Sequence, residues 1–339
     1  MSGGIAIAGN IILDIVKKID IYPEKGMLAN VIGETRAVGG CVCNTAIDLK
    51  KLDQNLTVTA FGRVGADEYG QYLLDRMKKE GIDISGVTAD AQSSTSYTDV
   101  MTVSQTGERT FFQRRGANAG FQPQHVPVKS LDCEIFHLGY LLLLDGMDEA
   151  DETYGTRAAR LLCEIQQRGI KTSIDLVSEQ SERFEKIVTP ALRYCNYVVI
   201  NEIEGGRLAG YAPRKKDGAP DLENLERICR KIKALGVSDA VVLHCPELSC
   251  GIDKTDEFCL LPSFALPKGY IVGSVGAGDA FCAGMLYSFL KGMPLIEGMQ
   301  LASCMAAENL SVSDAVSGAK DLQETLKAEN KFKRRDIKC

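Results

Sequence analysis

Leu222-Glu-Asn-Leu-Glu-Arg-Ile-Cys-Arg-Lys-Ile-Lys-Ala-Leu235, followed by Gly236-Val-Ser-Asp239 and then Ala240-Val-Val-Leu-His244, is the stretch on which the fold turns. A helical run with one apolar face stops at a glycine, and a short β-rich run begins a few residues later. The design recurs upstream, where Thr156 to Arg168 stops at Gly169 and feeds Lys171-Thr-Ser-Ile-Asp175. Between Asp67 and Glu80, Tyr72, Leu73 and Met77 fall at near-helical spacing, with lysines in the last turn and Gly81 as the stop. Ile5-Ala-Ile-Ala8 and Tyr197-Val-Val-Ile200 read as further short buried strands. Repetition of this kind implies βαβ units and a mostly parallel sheet covered on both faces, a three-layer α/β/α Rossmann-like fold.

Two regions break the rhythm. Residues 11–37 and 92–115 are rich in β-formers and turn residues and carry little helical period. In the second, Tyr97-Thr-Asp-Val-Met-Thr-Val103, the turn Gln105-Thr-Gly107 and Arg109-Thr-Phe-Phe112 predict a hairpin. Strands inserted without crossover helices do not join a central parallel sheet easily. They are expected to form a small separate β-sheet, a lid on a single domain spanning 1–339. The edges of such a sheet offer a surface for a homodimer.

Composition narrows the classes of function. With 339 residues, 45% hydrophobic and 25% charged, the chain can bury a substantial core. A net charge of −6 does not suit a nucleic-acid binder, and Lys331-Phe-Lys-Arg-Arg335 reads as a solvated tail. Twelve cysteines without a Cys-x-x-Cys pair suggest thiols used as small apolar residues in a reducing compartment. Neither a leader nor a membrane span is evident, so the cytoplasm is the expected location.

The chemistry is concentrated in Gly273-Ser-Val-Gly276-Ala-Gly278-Asp279, which opens a helical segment running from Ala280 to Lys291. A glycine-bearing turn at a helix N-terminus presents free N–H groups and the positive end of the helix dipole, which together suit an anion. Gly276, Ala277 and Gly278 would hold charge on a transferring phosphoryl group, and Asp279 would orient a hydroxyl and accept its proton. The dipole is expected to lower the pKa of Asp279, which a loose transition state tolerates. The local sequence fits a tight turn capped by Asp279 equally well. It is neither a Walker A loop nor a dinucleotide fingerprint, which disfavours a Rossmann oxidoreductase.

Six stretches in order resemble the ribokinase-like (PfkB) carbohydrate kinase family. They are Gly9-Asn-Ile-Ile-Leu-Asp14, Gly39-Gly40-Cys-Val-Cys-Asn44, Gly62-Arg-Val-Gly65-Ala-Asp67-Glu-Tyr-Gly70, Thr106-Gly-Glu-Arg-Thr-Phe-Phe112 with Gly116-Ala-Asn118, Asn201-Glu-Ile-Glu204 and Gly276-Ala-Gly-Asp279-Ala-Phe. The resemblance spans about residues 5 to 320 and implies a ribokinase-like fold and an ATP-dependent sugar kinase. It implies that Asp14, Gly39, Gly40 and Asn44 hold substrate hydroxyls, that Asn201, Ser274, Gly276 and Gly278 bind ATP, and that Glu204 reaches Mg²⁺ through water. Asp67 is expected to cap a helix, and Arg109, Arg114 and Arg115 are expected near the mouth of the substrate site. No catalytic role is expected for His125, His137 or His244.

Departures from the family pattern fall on the nucleotide side. Gly273 and Val275 stand where the family has oxygen-bearing residues, so the resemblance does not imply a monovalent cation here. Asp175-Leu-Val-Ser-Glu179 keeps only the Asp of a longer motif, and His244-Cys-Pro-Glu-Leu-Ser-Cys-Gly251 replaces a glycine-rich loop. A nucleoside kinase and a sugar or nucleoside sensor with weak catalysis are the alternatives. The sequence does not choose among ribose, fructose, a keto-sugar acid and a nucleoside.

Overall fold

The computed structural model describes residues 3–177 and 183–337. Nine strands form one sheet in the order Phe258–Pro262, Leu248–Ile252, Ala240–His244, Tyr197–Asn201, Lys171–Leu176, Ile135–Leu141, Ile5–Gly9, Val58–Gly65 and Asp83–Asp90. From Ala240–His244 to Asp83–Asp90 all neighbours are parallel, and antiparallel pairing enters with the other two strands. The segment after His244 is therefore a tight hairpin rather than a glycine-rich loop.

Side chains alternate across each strand, so the sheet feeds two cores. Ile5 and Ile7 join a core with Ile47, Phe281, Met285 and Met299, while Ala6 and Ala8 join another with Leu161, Val188 and Ile228. The first core is closed by the helices Gly40–Leu52, Ala277–Leu290 and Leu295–Asn309, and the second by Arg157–Gln166, Phe184–Leu192 and Leu222–Ala234. Each fully buried Leu or Ile adds roughly 1.5–3 kcal/mol. Asp67 caps the start of its helix as expected, accepting from Gly70 N, and Thr156 and Asp221 cap theirs in the same way, accepting from Ala159 N and Asn224 N.

A separate four-stranded sheet has the order Val31–Gly39, Ile12–Ile19, Tyr97–Val103, Arg109–Arg114. Its outer pairs are antiparallel and its middle pair is parallel, because the two halves come from distant parts of the chain. Met27, Leu28, Ile32, Phe111 and Phe112 are exposed on or beside it.

The basic C-terminal segment is not a solvated tail. Phe332 is buried against Phe264 with ring centroids 5.9 Å apart, and Arg334 pairs with Glu329 and donates to the Pro262 carbonyl. The aromatic side chain inside the basic run anchors it. The described cysteines are all free thiols, most of them buried. Among the described residues, no helix is long and apolar enough to cross a membrane.

Candidate active site

The carboxyl ends of parallel strands and the lid sheet meet around one turn. Gly276 has φ +78° and caps the helix Ala277–Leu290. A Cβ at Gly276 would lie 2.5 Å from the Ala315 carbonyl oxygen, so the turn admits no side chain there. Asp279 follows in the first helical turn and is 6% exposed.

Two side chains hold its carboxylate. Asn44 Nδ2 donates to Oδ2 at 2.9 Å, and Tyr140 Oη donates to Oδ1 at 2.6 Å. Burial raises the pKa of Asp279, and the Tyr140 and Asn44 hydrogen bonds oppose the rise. The downward shift expected from the helix dipole is thus corrected, because desolvation of the charge outweighs the dipole.

Asp14 lies where the first strand of the central sheet passes into the lid. A Cβ at Gly39 would lie 2.4 Å from Asp14 Oδ2, and one at Gly40 would lie 2.5 Å from the Asn10 carbonyl oxygen. Gly39 therefore lets the main chain run directly against Asp14, and Gly40 lets it pass the Asn10 backbone. Burial, then the Asp279 charge, push Asp14 up to about 7, while Thr98 and Arg109 pull it down.

Two cavities use alternate sides of the 272–278 turn. One, of about 410 Å³, is lined by Asp14, Thr35, Val100, Arg109, Val272 and Val275. The other, of about 470 Å³, is lined by Asn201, His244, Ser274, Gly278, Phe281 and Arg335, among others. Asn201 and Glu204 form a reciprocal helix cap, with Glu204 N donating to Asn201 Oδ1 at 2.9 Å and Asn201 N to Glu204 Oε2 at 3.1 Å. Glu204 is 3% exposed and Asp175 is 8% exposed. Burial pushes Asp175 well up, with the charges of Glu204 and then Asp279 adding to it. This pair of crowded carboxylates suits a hard divalent cation, which prefers oxygen donors.

The structure brings Asp14, Gly39, Gly40, Asn44 and Asp279 together on one side and Asn201, Ser274, Ala277 and Gly278 on the other. Arg109 lines the first cavity, and Arg114 is exposed. Arg115 pairs with Asp145 at 2.9 Å and donates to the Leu142 carbonyl at 3.1 Å, two residues beyond Tyr140. Ser178 and Glu179 lie outside the described residues. Two residues went unread in the sequence: Tyr140 sits in an apolar run, and Arg335 belongs to the supposed tail. His244, given no catalytic role, lines the second cavity, and its ring packs on Phe281 with centroids 4.9 Å apart. Burial lowers the pKa of His244 to about 4, so it is neutral at physiological pH.

Comparison with known proteins gives this geometry a context. The pfkB family carbohydrate kinase profile matches residues 5–322. Ribokinase of Schizosaccharomyces pombe is 24% identical over 327 residues, covering 94% of this chain and 96% of that protein. Fructokinase-2 of Oryza sativa subsp. japonica is 31% identical over 284 residues, covering 80% of this chain and 77% of that protein. Among solved structures, Arabidopsis thaliana ribokinase complexed with ribose and ATP aligns with a TM-score of 0.77 at 20% identity, covering 96% of this chain and 98% of that one. Burkholderia thailandensis nucleoside kinase in complex with inosine gives 0.73 at 17% identity, covering 98% and 100%. A family match across almost the whole length, on a ribokinase-like fold with a small separate sheet, places this chain in the pfkB family of carbohydrate kinases.

Proposed function

We propose that the chain transfers the γ-phosphoryl group of ATP to a hydroxymethyl group of a sugar. The observation that carries the reading is the 272–278 turn, which shares its residues between two cavities and leads directly into a buried aspartate. The sugar occupies the cavity under the lid, where Asp14 and Asn44 take its hydroxyls; a carboxylate and an amide fix direction as well as distance. ATP occupies the cavity lined by Asn201, Ser274 and Gly278. The apolar faces of Phe281 and the neutral His244 suit a heterocyclic base.

Asp279 orients the acceptor hydroxyl and takes its proton, and its raised pKa fits that task. Asn44 and Tyr140 fix the carboxylate plane, so the oxygen that attacks is delivered along one direction. The first-turn N–H groups behind Gly276, with Ala277 and Gly278, stabilise charge on the phosphoryl oxygens. Glu204, through water, and the neighbouring Asp175 would hold Mg²⁺, which would supply positive charge to the phosphates. Closure of the small sheet excludes water and protects ATP from hydrolysis. The exposed apolar residues of that sheet support a homodimer formed through it, and the free thiols support a cytoplasmic location.

The test is a thermal-shift panel of pentoses, hexoses, keto-sugar acids and nucleosides with a non-hydrolysable Mg·ATP analogue, followed by turnover assays on the hits. A sugar that stabilises the protein and is phosphorylated is the expected result. Stabilisation by sugar without any turnover overturns the reading in favour of a sensor.

A further inference from the structure

Behind the candidate base, Asp175 stands beside two donors that the proposed transfer does not use, His137 and Cys282. His137, Asp175 and Cys282 are all buried, and one ligand atom from each lies within 4.8 Å of the others. They come from two adjacent strands, Ile135–Leu141 and Lys171–Leu176, and from the helix Ala277–Leu290 packed above them. His137 Nδ1 is 3.1 Å from Ser173 Oγ, and His137 Nε2 is 3.9 Å from Cys282 Sγ. With Nδ1–H donated to the serine, the Nε2 lone pair faces the thiol. Such an outer hydrogen bond fixes ring and tautomer in metal-ligating histidines. A second thiol borders the same space. A Cβ on Gly139 would lie 2.6 Å from Cys41 Sγ and 3.3 Å from His137 Nε2, so the glycine gives both groups room.

Imidazole, thiolate and carboxylate form a borderline-soft donor set, which favours Zn²⁺ over Mg²⁺. A nitrogen–sulfur separation of 3.9 Å is close to what two bonds of about 2.0–2.3 Å to one tetrahedral ion span. We infer that His137, Asp175 and Cys282 form a site for a thiophilic divalent cation of the zinc class, and that filling it stops turnover. Binding replaces the thiol proton, which leaves to solvent. The bound ion takes up the Asp175 carboxylate, which otherwise stands with Glu204, and sets a positive charge behind Asp279. The binding half stands apart from the kinase reading, and the inhibition half rests on it.

The experiment is a CoCl₂ titration of the metal-free full chain, read by thiolate-to-cobalt charge-transfer absorbance and tetrahedral ligand-field bands. The expected result is saturation at about one equivalent, displacement by ZnCl₂, and loss of the band in Cys282→Ala. Cys282→Ser, a poor soft ligand of near-native volume, serves if the alanine variant does not fold. A wild-type protein without the band, or a variant that keeps it, overturns the site. In turnover assays with excess Mg·ATP, ZnCl₂ inhibits the wild type reversibly by chelator, and Cys282→Ser needs at least about tenfold more zinc. Equal zinc sensitivity overturns the inhibitory role whatever the cobalt spectra show.

Discussion

Replacing Tyr140 by Phe removes one hydroxyl and leaves the ring that fills the space beneath Asp279. In the native protein that hydroxyl donates to Asp279 Oδ1 at 2.6 Å, and Asn44 holds the other oxygen. Both bonds favour the ionised carboxylate against the burial that raises its pKa. A hydrogen bond to a charged group contributes about 1.5–3 kcal/mol, and one pKa unit corresponds to about 1.4 kcal/mol. Losing the phenol should therefore raise the Asp279 pKa by about one to two units. A base that must be ionised then loses activity at the acid end, so the acid limb of kcat/KM moves to higher pH by that amount. The assay is a coupled kinase measurement from pH 5 to 9 with the phosphorylated sugar found in the panel. At high pH the variant should approach wild-type rates, because the carboxylate is ionised in both. An acid limb that stays in place, or a uniform loss at every pH, refutes the assignment of Tyr140 as a positioning residue for Asp279.

Three further outcomes follow from burial and charge. Asp14 carries a folded pKa of about 7 against an ordinary 3.8, so its contribution to stability is full below about 4 and is lost as pH rises through 7. Asp14→Asn should thus outlast the wild type in urea at pH 8 by at most about 4 kcal/mol, match it near pH 4, and lose sugar affinity; an equal difference at both pH values would be inconsistent. Asp48 is fully buried and neither of its carboxylate oxygens has a hydrogen-bond partner among the described residues, so Asp48→Ala should stabilise the fold by about 1–3 kcal/mol. A destabilised variant in chemical denaturation would point to a bound partner for that carboxylate. Arg335 lines the cavity assigned to the nucleotide, so Arg335→Ala should raise the KM for ATP several-fold and leave the KM for sugar unchanged.

Much of the fold was legible because its signals are local. The glycine stops at Gly81, Gly169 and Gly236, and the β-rich runs after two of them, are encoded within a few residues, and so is the turn at Gly276. The lid was legible for the opposite reason, as two stretches without helical period. Its parallel central pairing was not, since Ile12–Ile19 and Tyr97–Val103 meet across some eighty intervening residues. The candidate site divides the same way. Asp14, Asn44 and Asp279 stand in recognisable motifs, whereas the Tyr140–Asp279 bond joins residues 139 positions apart. Tyr140 itself sits in an apolar run that reads as core. Arg335 was hidden because a run of basic residues reads as solvated, and the single Phe332 that docks it carries little weight in such a pattern. The pKa of Asp279 went the wrong way for a related reason: the helix dipole is visible in the sequence, and burial is not.

The central claim is that Asp279 is the base for phosphoryl transfer, and Asp279→Asn tests it most directly. The amide keeps the shape and accepts from Tyr140, but it cannot take a proton. Under single-turnover conditions with saturating Mg·ATP and sugar, the transfer rate should fall by about 10²–10⁴-fold while sugar binding persists. A purified variant that transfers within about tenfold of the wild-type rate would contradict the account.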